Sequence, residues 1–271
     1  MYSLTIVIPA YNEEGRLDAT LDKLAAFIEA EAWNAEIIVV DDGSQDGTAR
    51  LVTRHMQQLP YLRLMQNHIN RGKGFSLRRG AEAALGEIIL LCDADLSVPI
   101  QECHKLLAVL HDGADIAIGS RGVIAGGERV AVPWYRRVCS AGFQMVVRSV
   151  LGLRYEDTQC GFKAFKRKAA RLIFSRQRIE RWGFDPEVLM LADRFCFVVK
   201  EVGVEAVHDD RSRLNIVSAS FQMLCEVLKV RYHLLFGLYS HPTPSFQAGA
   251  PASSTPVAGT DTLGTASAST N

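Results

Sequence analysis

Ile88-Ile89-Leu90-Leu91-Cys92-Asp93-Ala94-Asp95 is the stretch from which the rest of the chain can be read. An apolar run the length of one buried strand ends in two carboxylates separated by a single residue. Side chains alternate along an extended chain, so residues two apart point the same way. Asp93 and Asp95 are therefore expected to face one hard cation together, Mg²⁺ or Mn²⁺, which takes carboxylate oxygens and shares its coordination with a substrate phosphate. Taken alone, the pattern also fits a turn with solvated carboxylates, because turns favour Asp at strand ends. The neighbouring motifs decide between the two.

Upstream, residues 4–8 read as a buried strand followed by the loop Pro9-Ala10-Tyr11-Asn12-Glu13-Glu14, and Leu17, Leu21, Leu24 and Ile28 recur at helical spacing. Residues 36–40 form a second apolar strand that ends in Asp41-Asp42-Gly43-Ser44, and a helical face follows with Leu51, Val52, His55, Met56 and Leu59. A short strand is expected over 61–66, and Asn70-Arg71-Gly72-Lys73-Gly74 introduces a helix through Leu85. After the strand at 88–92 come a helix near 100–111 and a strand at 115–119. This alternation of strand and helix with short connections predicts an α/β fold with a doubly wound, mostly parallel central sheet flanked by helices. Ligands of such sheets bind at the carboxyl ends of the strands, where the polar motifs after 4–8, 36–40 and 88–92 all lie. That convergence favours a functional Asp93/Asp95 pair over a bland turn.

Several of these motifs suit a nucleotide. Pro9 and Tyr11 can wall a base, with Glu13 and Asp41 accepting hydrogen bonds from base or ribose; the plainer reading of Asp41 and Asp42 is helix N-capping. Gly72-Lys73-Gly74 offers backbone N–H groups at a helix N-terminus, which attracts phosphate. There is no Walker A loop and no G-x-G-x-x-G after the first strand, which counts against a nicotinamide dinucleotide enzyme.

Composition narrows the class. The 271 residues carry thirty basic and thirty acidic side chains, a balance that argues against a bulk nucleic-acid binder. Six scattered cysteines without a C-x-x-C pair favour reduced thiols in a cytoplasmic protein. No signal peptide and no apolar run long enough to span a bilayer is evident, so the expectation is a soluble or peripheral protein. From Ser240 onward the chain turns to Ser, Thr, Ala, Pro and Gly, the composition of a disordered tail.

Ile-Pro-Ala-Tyr-Asn-Glu (8–13), Val-Asp-Asp-Gly-Ser (40–44), Asp-Ala-Asp (93–95) and Gly-Ser-Arg (119–121), in this order and spacing, resemble family-2 inverting glycosyltransferases of the GT-A fold. Within them the chain is most similar to polyprenyl-phosphate sugar transferases. Asp157-Thr158-Gln159-Cys160-Gly161-Phe162-Lys163 and Glu180-Arg181-Trp182-Gly183-Phe184-Asp185 resemble the dolichyl-phosphate β-glucosyltransferase branch more than the mannose-synthase branch. The resemblance covers roughly residues 3–240. It implies a GT-A catalytic domain over 1–205; the residues beyond it read as a C-terminal arm over 206–240 with an amphipathic helix suited to an interface, and as the disordered tail over 241–271.

By the same resemblance, Pro9, Tyr11, Glu13, Val40, Asp41, Lys73 and Ala94 would hold the nucleotide-sugar. Asp93 and Asp95, with Ser97 as a weaker candidate, would hold Mg²⁺ or Mn²⁺ on the donor diphosphate. Arg121 would meet the diphosphate or the acceptor phosphate, and Arg213 sits where relatives carry a phosphate-touching lysine. Gln159 lies in the same motif set, and Asp157 and Asp185 are the acids to watch near the acceptor. Either acid could instead be a structural carboxylate salt-bridged to a residue such as Arg136 or Arg181.

The implied reaction moves glucose from UDP-glucose to a polyprenyl phosphate, whose own anion can attack without a strong general base. The glycine-rich stretch 122–133 is a candidate acceptor loop. The basic and aromatic helices beginning at Trp134 and spanning Phe221–Tyr239 could lie on a membrane surface. A separate membrane-anchoring protein, or these helices alone, would bring the enzyme to the cytosolic face of a membrane. The rivals are GDP-mannose or UDP-N-acetylglucosamine as donor, a soluble acceptor, and a non-catalytic nucleotide-sugar sensor.

Overall fold

A computed structural model describes residues 3–121, 134–206 and 216–240, without the side chains of 134–141, 143 and 216–221. The candidate acceptor loop at 122–133, the segment holding Arg213 and the tail at 241–271 lie outside the described residues.

Four apolar runs become strands that are buried on both faces. They are β1 (Leu4–Ala10), β2 (Ala35–Asp41), β4 (Ile88–Leu91) and β5 (Ile116–Ser120), and β3 (Leu62–Gln66) covers one edge of β2. Along each buried run the side chains alternate between two separate cores. Ile6, Ile8, Ile37, Val39 and Leu90 enter one; Val7, Ile38, Val40, Ile89 and Leu91 enter the other. This two-sided burial explains why the strands read as continuous apolar stretches.

The first core is closed by α1 (Glu14–Ala30), α2 (Thr48–Met56) and α4 (Cys103–His111). The second is closed by α3 (Lys73–Ala83), α5 (Trp134–Leu151), α6 (Arg167–Phe174), α7 (Phe184–Arg194) and α8 (Ile216–Leu235). The helix expected through Leu85 stops at Ala83, where Ala84 turns to extended backbone and Gly86 packs against the chain at Leu4 and Thr5. The helix near 100–111 begins with a 3-10 turn at Ile100–Glu102.

The sheet order is β3-β2-β1-β4-β6-β5-β7, with β6 (Lys163–Lys166) antiparallel to both β4 and β5 and every other pair parallel. Neither β6 nor β7 (Val199–Gly203) stands out in the sequence. Each is only four or five residues long and is interrupted by charge, Lys163 and Lys166 in one and Lys200 and Glu201 in the other. The chain winds outward from β1 to β3 and then returns to the other side of β1 as β4. The switch point of the sheet therefore lies between β1 and β4, with their carboxyl ends opening one crevice.

Helix α3 packs closely on β1 because Gly80 has no side chain. A Cβ there would lie 2.3 Å from Val7 Cγ1 and 3.1 Å from Val40 Cγ2. Gly80→Ala is expected to destabilise the chain by about 1–3 kcal/mol through overpacking, despite the better helix propensity of Ala. Urea unfolding midpoints check this, and a stabilised variant would contradict the close fit.

Candidate active site

Strand β4 ends at Leu91, two residues before the acidic pair. Strand alternation therefore does not orient Asp93 and Asp95, contrary to the expectation from sequence. A turn does so instead: the Leu96 N–H donates to the Asp93 carbonyl at 3.1 Å, with Leu96 in the left-handed region at φ +49°. Asp95 Oδ1 accepts from the Ser97 N–H at 2.9 Å, and the Thr20 hydroxyl ties the Ala94 carbonyl to α1 at 2.7 Å. The Asp95 carboxylate lies 4.0 Å from Arg16 on α1.

Asp93 meets the other side of the crevice. Lys73, the first residue of α3, places Nζ 2.5 Å from Asp93 Oδ1. Burial pushes the Asp93 carboxyl up, but Lys73, together with Lys163 and Arg121, outweighs it and holds the group below the usual carboxylate range. Burial pulls the Lys73 ammonium down, and Asp93 and Asp185 more than reverse this. Trp182 covers the ammonium, with its ring centroid 5.6 Å from Nζ. The turn that delivers Lys73 needs glycine: Gly72 has φ +113°, and a Cβ would sit 2.6 Å from the Glu180 carbonyl oxygen. Gly161 leaves similar room above the acid, where a Cβ would fall 2.5 Å from Asp93 Oδ2.

Arg121 follows β5 and is fixed by Asp157. Nε donates to Oδ2 at 2.7 Å and Nη2 to Oδ1 at 3.1 Å, a two-pronged pair, while the Arg121 and Gln159 N–H groups donate to the same carboxylate. Burial raises the Asp157 carboxyl, but Arg121 more than offsets this and leaves it low. The partner of Asp157 is thus Arg121; the side chain of Arg136 lies outside the described residues. Asp185, at the start of α7, is paired with the buried ammonium of Lys163, which also donates to the Cys160 carbonyl. Burial lifts the Asp185 carboxyl more than Lys163 and Lys73 lower it. Asp93, Ser97, Arg121 and Gln159 line one cleft with Cys160, Gly161 and Phe162. The Gln159 amide reaches α8 at Met223 Sδ, 2.9 Å away.

The expected nucleoside residues lie at the ends of β1 and β2. Tyr11 is exposed and Pro9 half-buried, as a wall for a base would be. The Glu13 carboxylate is held by Arg16 at 2.8 and 2.9 Å, and burial raises its pKa over the opposing pull of that arginine. Asp41 accepts from the Ser44 N–H at 3.0 Å. Asp42 clamps the next loop, accepting from Asn67 at 2.6 Å, the Arg71 N–H at 3.0 Å and the Gly72 N–H at 2.7 Å. Among the described residues neither acid caps a helix: the carboxylate that meets the start of α2 is Asp46, which accepts from the Thr48 N–H at 2.9 Å. Val40 and Ala94 are buried core side chains.

Three contributors, Arg16, Lys163 and Trp182, were not singled out in the sequence, and a fourth, Asp42, was read only as a helix cap. Arg16 is legible in retrospect as the i+3 partner of Glu13. Lys163, Trp182 and Asp42 lie inside quoted motifs, but their partners are distant in the chain and leave no periodic signal.

A further buried acid holds the start of the segment that carries Trp182. Glu187 on α7 accepts from the Arg178 and Ile179 N–H groups, each at 2.9 Å, and from the Tyr239 hydroxyl at 2.7 Å. Burial raises its carboxyl from 4.5 to about 7 against those hydrogen bonds. The folded chain therefore holds this proton more tightly than the unfolded chain. Its contribution to stability is full below pH 4.5 and is lost as pH rises to about 7. The stability advantage of wild type over Glu187→Gln is expected to shrink across that interval, as measured by urea unfolding at pH 4.5, 6 and 8. A constant difference would contradict the shift.

An acidic pair and a clamped arginine at the switch point of a doubly wound sheet are the layout of a GT-A glycosyltransferase. The Glycosyl transferase family 2 model matches residues 5–174, and the chain belongs to that family. It is 35% identical over 248 residues to a dolichyl-phosphate beta-glucosyltransferase of Dictyostelium discoideum, covering 87% of this chain and 76% of that one. It is 33% identical over 249 residues to the human dolichyl-phosphate beta-glucosyltransferase, covering 87% and 77%. Glucosyl-3-phosphoglycerate synthase from Mycobacterium tuberculosis, crystallised with Mn²⁺ and UDP-glucose, shares the fold with a TM-score of 0.61 at 20% identity, over 90% of this chain and 81% of that one. The mostly parallel sheet and the family expected from sequence are both borne out.

Proposed function

We propose that this chain is an inverting hexosyltransferase that moves glucose from UDP-glucose to a polyprenyl phosphate. The observation that carries the reading is that Asp93, tied to Lys73, and Arg121, held by Asp157, line one cleft, with Asp95 in the same turn as Asp93. Its relatives named for glucosyl transfer to dolichyl phosphate support the substrates.

The donor set fits a hard divalent cation. Asp93 already carries an ammonium as a stand-in positive charge, and no group of three or more metal-binding side chains exists among the described residues. Asp93 and Asp95 would hold Mg²⁺ or Mn²⁺, with diphosphate and water as the expected further donors. The bound metal supplies neutralisation of charge on the departing diphosphate. Arg121, oriented by Asp157, offers its guanidinium to the same charge. Tyr11 and Pro9 stack the base, and Glu13 and Asp41 orient the nucleoside. The acceptor phosphate is an anion and needs no proton removed, so the chain's work is to align two phosphorylated substrates.

No helix among the described residues is long and apolar enough to cross a membrane. The inner face of α8 is anchored in the second core by Val227 and Val230. Its outer face and the following turn expose Leu228, Tyr232, Leu235, Phe236 and Leu238, beside the basic Lys229 and Arg231. An apolar strip edged with cations suits a bilayer surface, and we assign this face to peripheral contact at the cytosolic side.

A donor comparison with purified protein, Mn²⁺ and polyprenyl phosphate in detergent tests the reading. Lipid-dependent UDP release from UDP-glucose is expected. Preference for GDP-mannose or UDP-N-acetylglucosamine would overturn the sugar, and release that ignores the lipid would overturn the acceptor.

A further inference from the structure

The ion pair between Lys73 and Asp93 sits where a cation is expected. Lys73 Nζ is 2.5 Å from Asp93 Oδ1, its side chain is largely buried, and Trp182 covers it. The helix start that carries Lys73 is packed beneath the segment 179–184, which fixes its backbone beside Asp93. The Phe75 N–H donates to the Glu180 carbonyl at 2.9 Å, and Arg71 is paired with the Glu180 carboxylate. Only two carboxylates serve the proposed cation, and one of them is engaged by this ammonium. A divalent ion arriving alone therefore meets an electrostatic competitor and an incomplete donor set.

We infer that Lys73 is an internal competitor for the metal, seated on Asp93 until a nucleoside diphosphate draws it off, so that metal and donor bind as a coupled pair. A diphosphate in the crevice gives the ammonium a second anionic partner. Its transfer from Asp93 to a phosphate oxygen frees the carboxylate while the phosphate brings further oxygen donors. By linkage, the factor by which UDP tightens the metal equals the factor by which the metal tightens UDP. The arrangement disfavours the loading of metal without donor.

This inference rests on the donor and metal reading above, and its test separates the two. Mn²⁺ binding is titrated by electron paramagnetic resonance, without and with UDP, for the wild type, Lys73→Met and Lys73→Arg. Circular dichroism monitors the fold of each. Lys73→Met is expected to bind Mn²⁺ without nucleotide roughly tenfold more tightly than wild type, within the range usual for coupled sites. Lys73→Arg, which keeps the charge, should remain weak. UDP affinity without metal should fall in Lys73→Met. If nucleotide-free Mn²⁺ affinity is unchanged or weaker in Lys73→Met, or rises equally in Lys73→Arg, the competitor role is overturned while the metal site stands. If wild type with UDP binds no Mn²⁺ at all, the metal reading itself falls and takes this inference with it.

Discussion

Asp93→Asn is expected to lower kcat/KM for lipid-linked transfer by roughly 10³-fold, the scale seen when one preorganised electrostatic group is removed at a site of developing charge. The substitution keeps the shape of the turn, since the Leu96 N–H bonds to the main-chain carbonyl of Asp93 and not to its carboxylate. What it removes is the negative charge that faces Lys73 and, in our reading, the metal. The side chain is only partly buried, at 30% exposure, so the fold should tolerate the change. Steady-state kinetics with Mn²⁺, alongside thermal unfolding, separate a loss of chemistry from a loss of structure. Unchanged metal-dependent turnover would remove Asp93 from the site.

Lys163→Met should act mainly through stability. The Lys163 ammonium has no exposure and is bound to the Asp185 carboxylate and the Cys160 carbonyl. Its removal leaves Asp185 buried beside Asp93 without its counter-ion. Breaking one partner of a buried pair costs about 3–5 kcal/mol. For a chain of this size that corresponds to a fall in Tm of roughly 10 °C. Replacing both partners by apolar groups removes the stranded charge, so Lys163→Met/Asp185→Leu should recover much of the loss. Thermal unfolding of the two single variants and the double variant closes the cycle. Additive losses would show that the pair is not energetically coupled.

The strands and the crevice were legible because both follow from local rules. Two-sided burial of β1, β2 and β4 leaves uninterrupted apolar runs, and the connections back to the sheet are helices with clear apolar spacing. The acids therefore fall at strand ends by counting alone. β6 and β7 were not legible, because short strands with charges in them look like loops until their neighbours are known. The partners of the acids were hidden for a related reason. Arg121 and Asp157 are 36 residues apart, and Lys163 and Asp185 are 22 apart, so only the fold brings them together. Strand alternation also misled at one point. It grouped Asp93 with Asp95 through extended backbone, whereas a turn with a left-handed Leu96 presents them.

The most direct test of the central claim is transfer of labelled glucose from UDP-glucose to polyprenyl phosphate by the purified chain with Mn²⁺ in detergent. Label extracted with the lipid as a β-linked glucosyl phosphate, dependent on both metal and acceptor, is the predicted result. UDP release without any labelled lipid would contradict it.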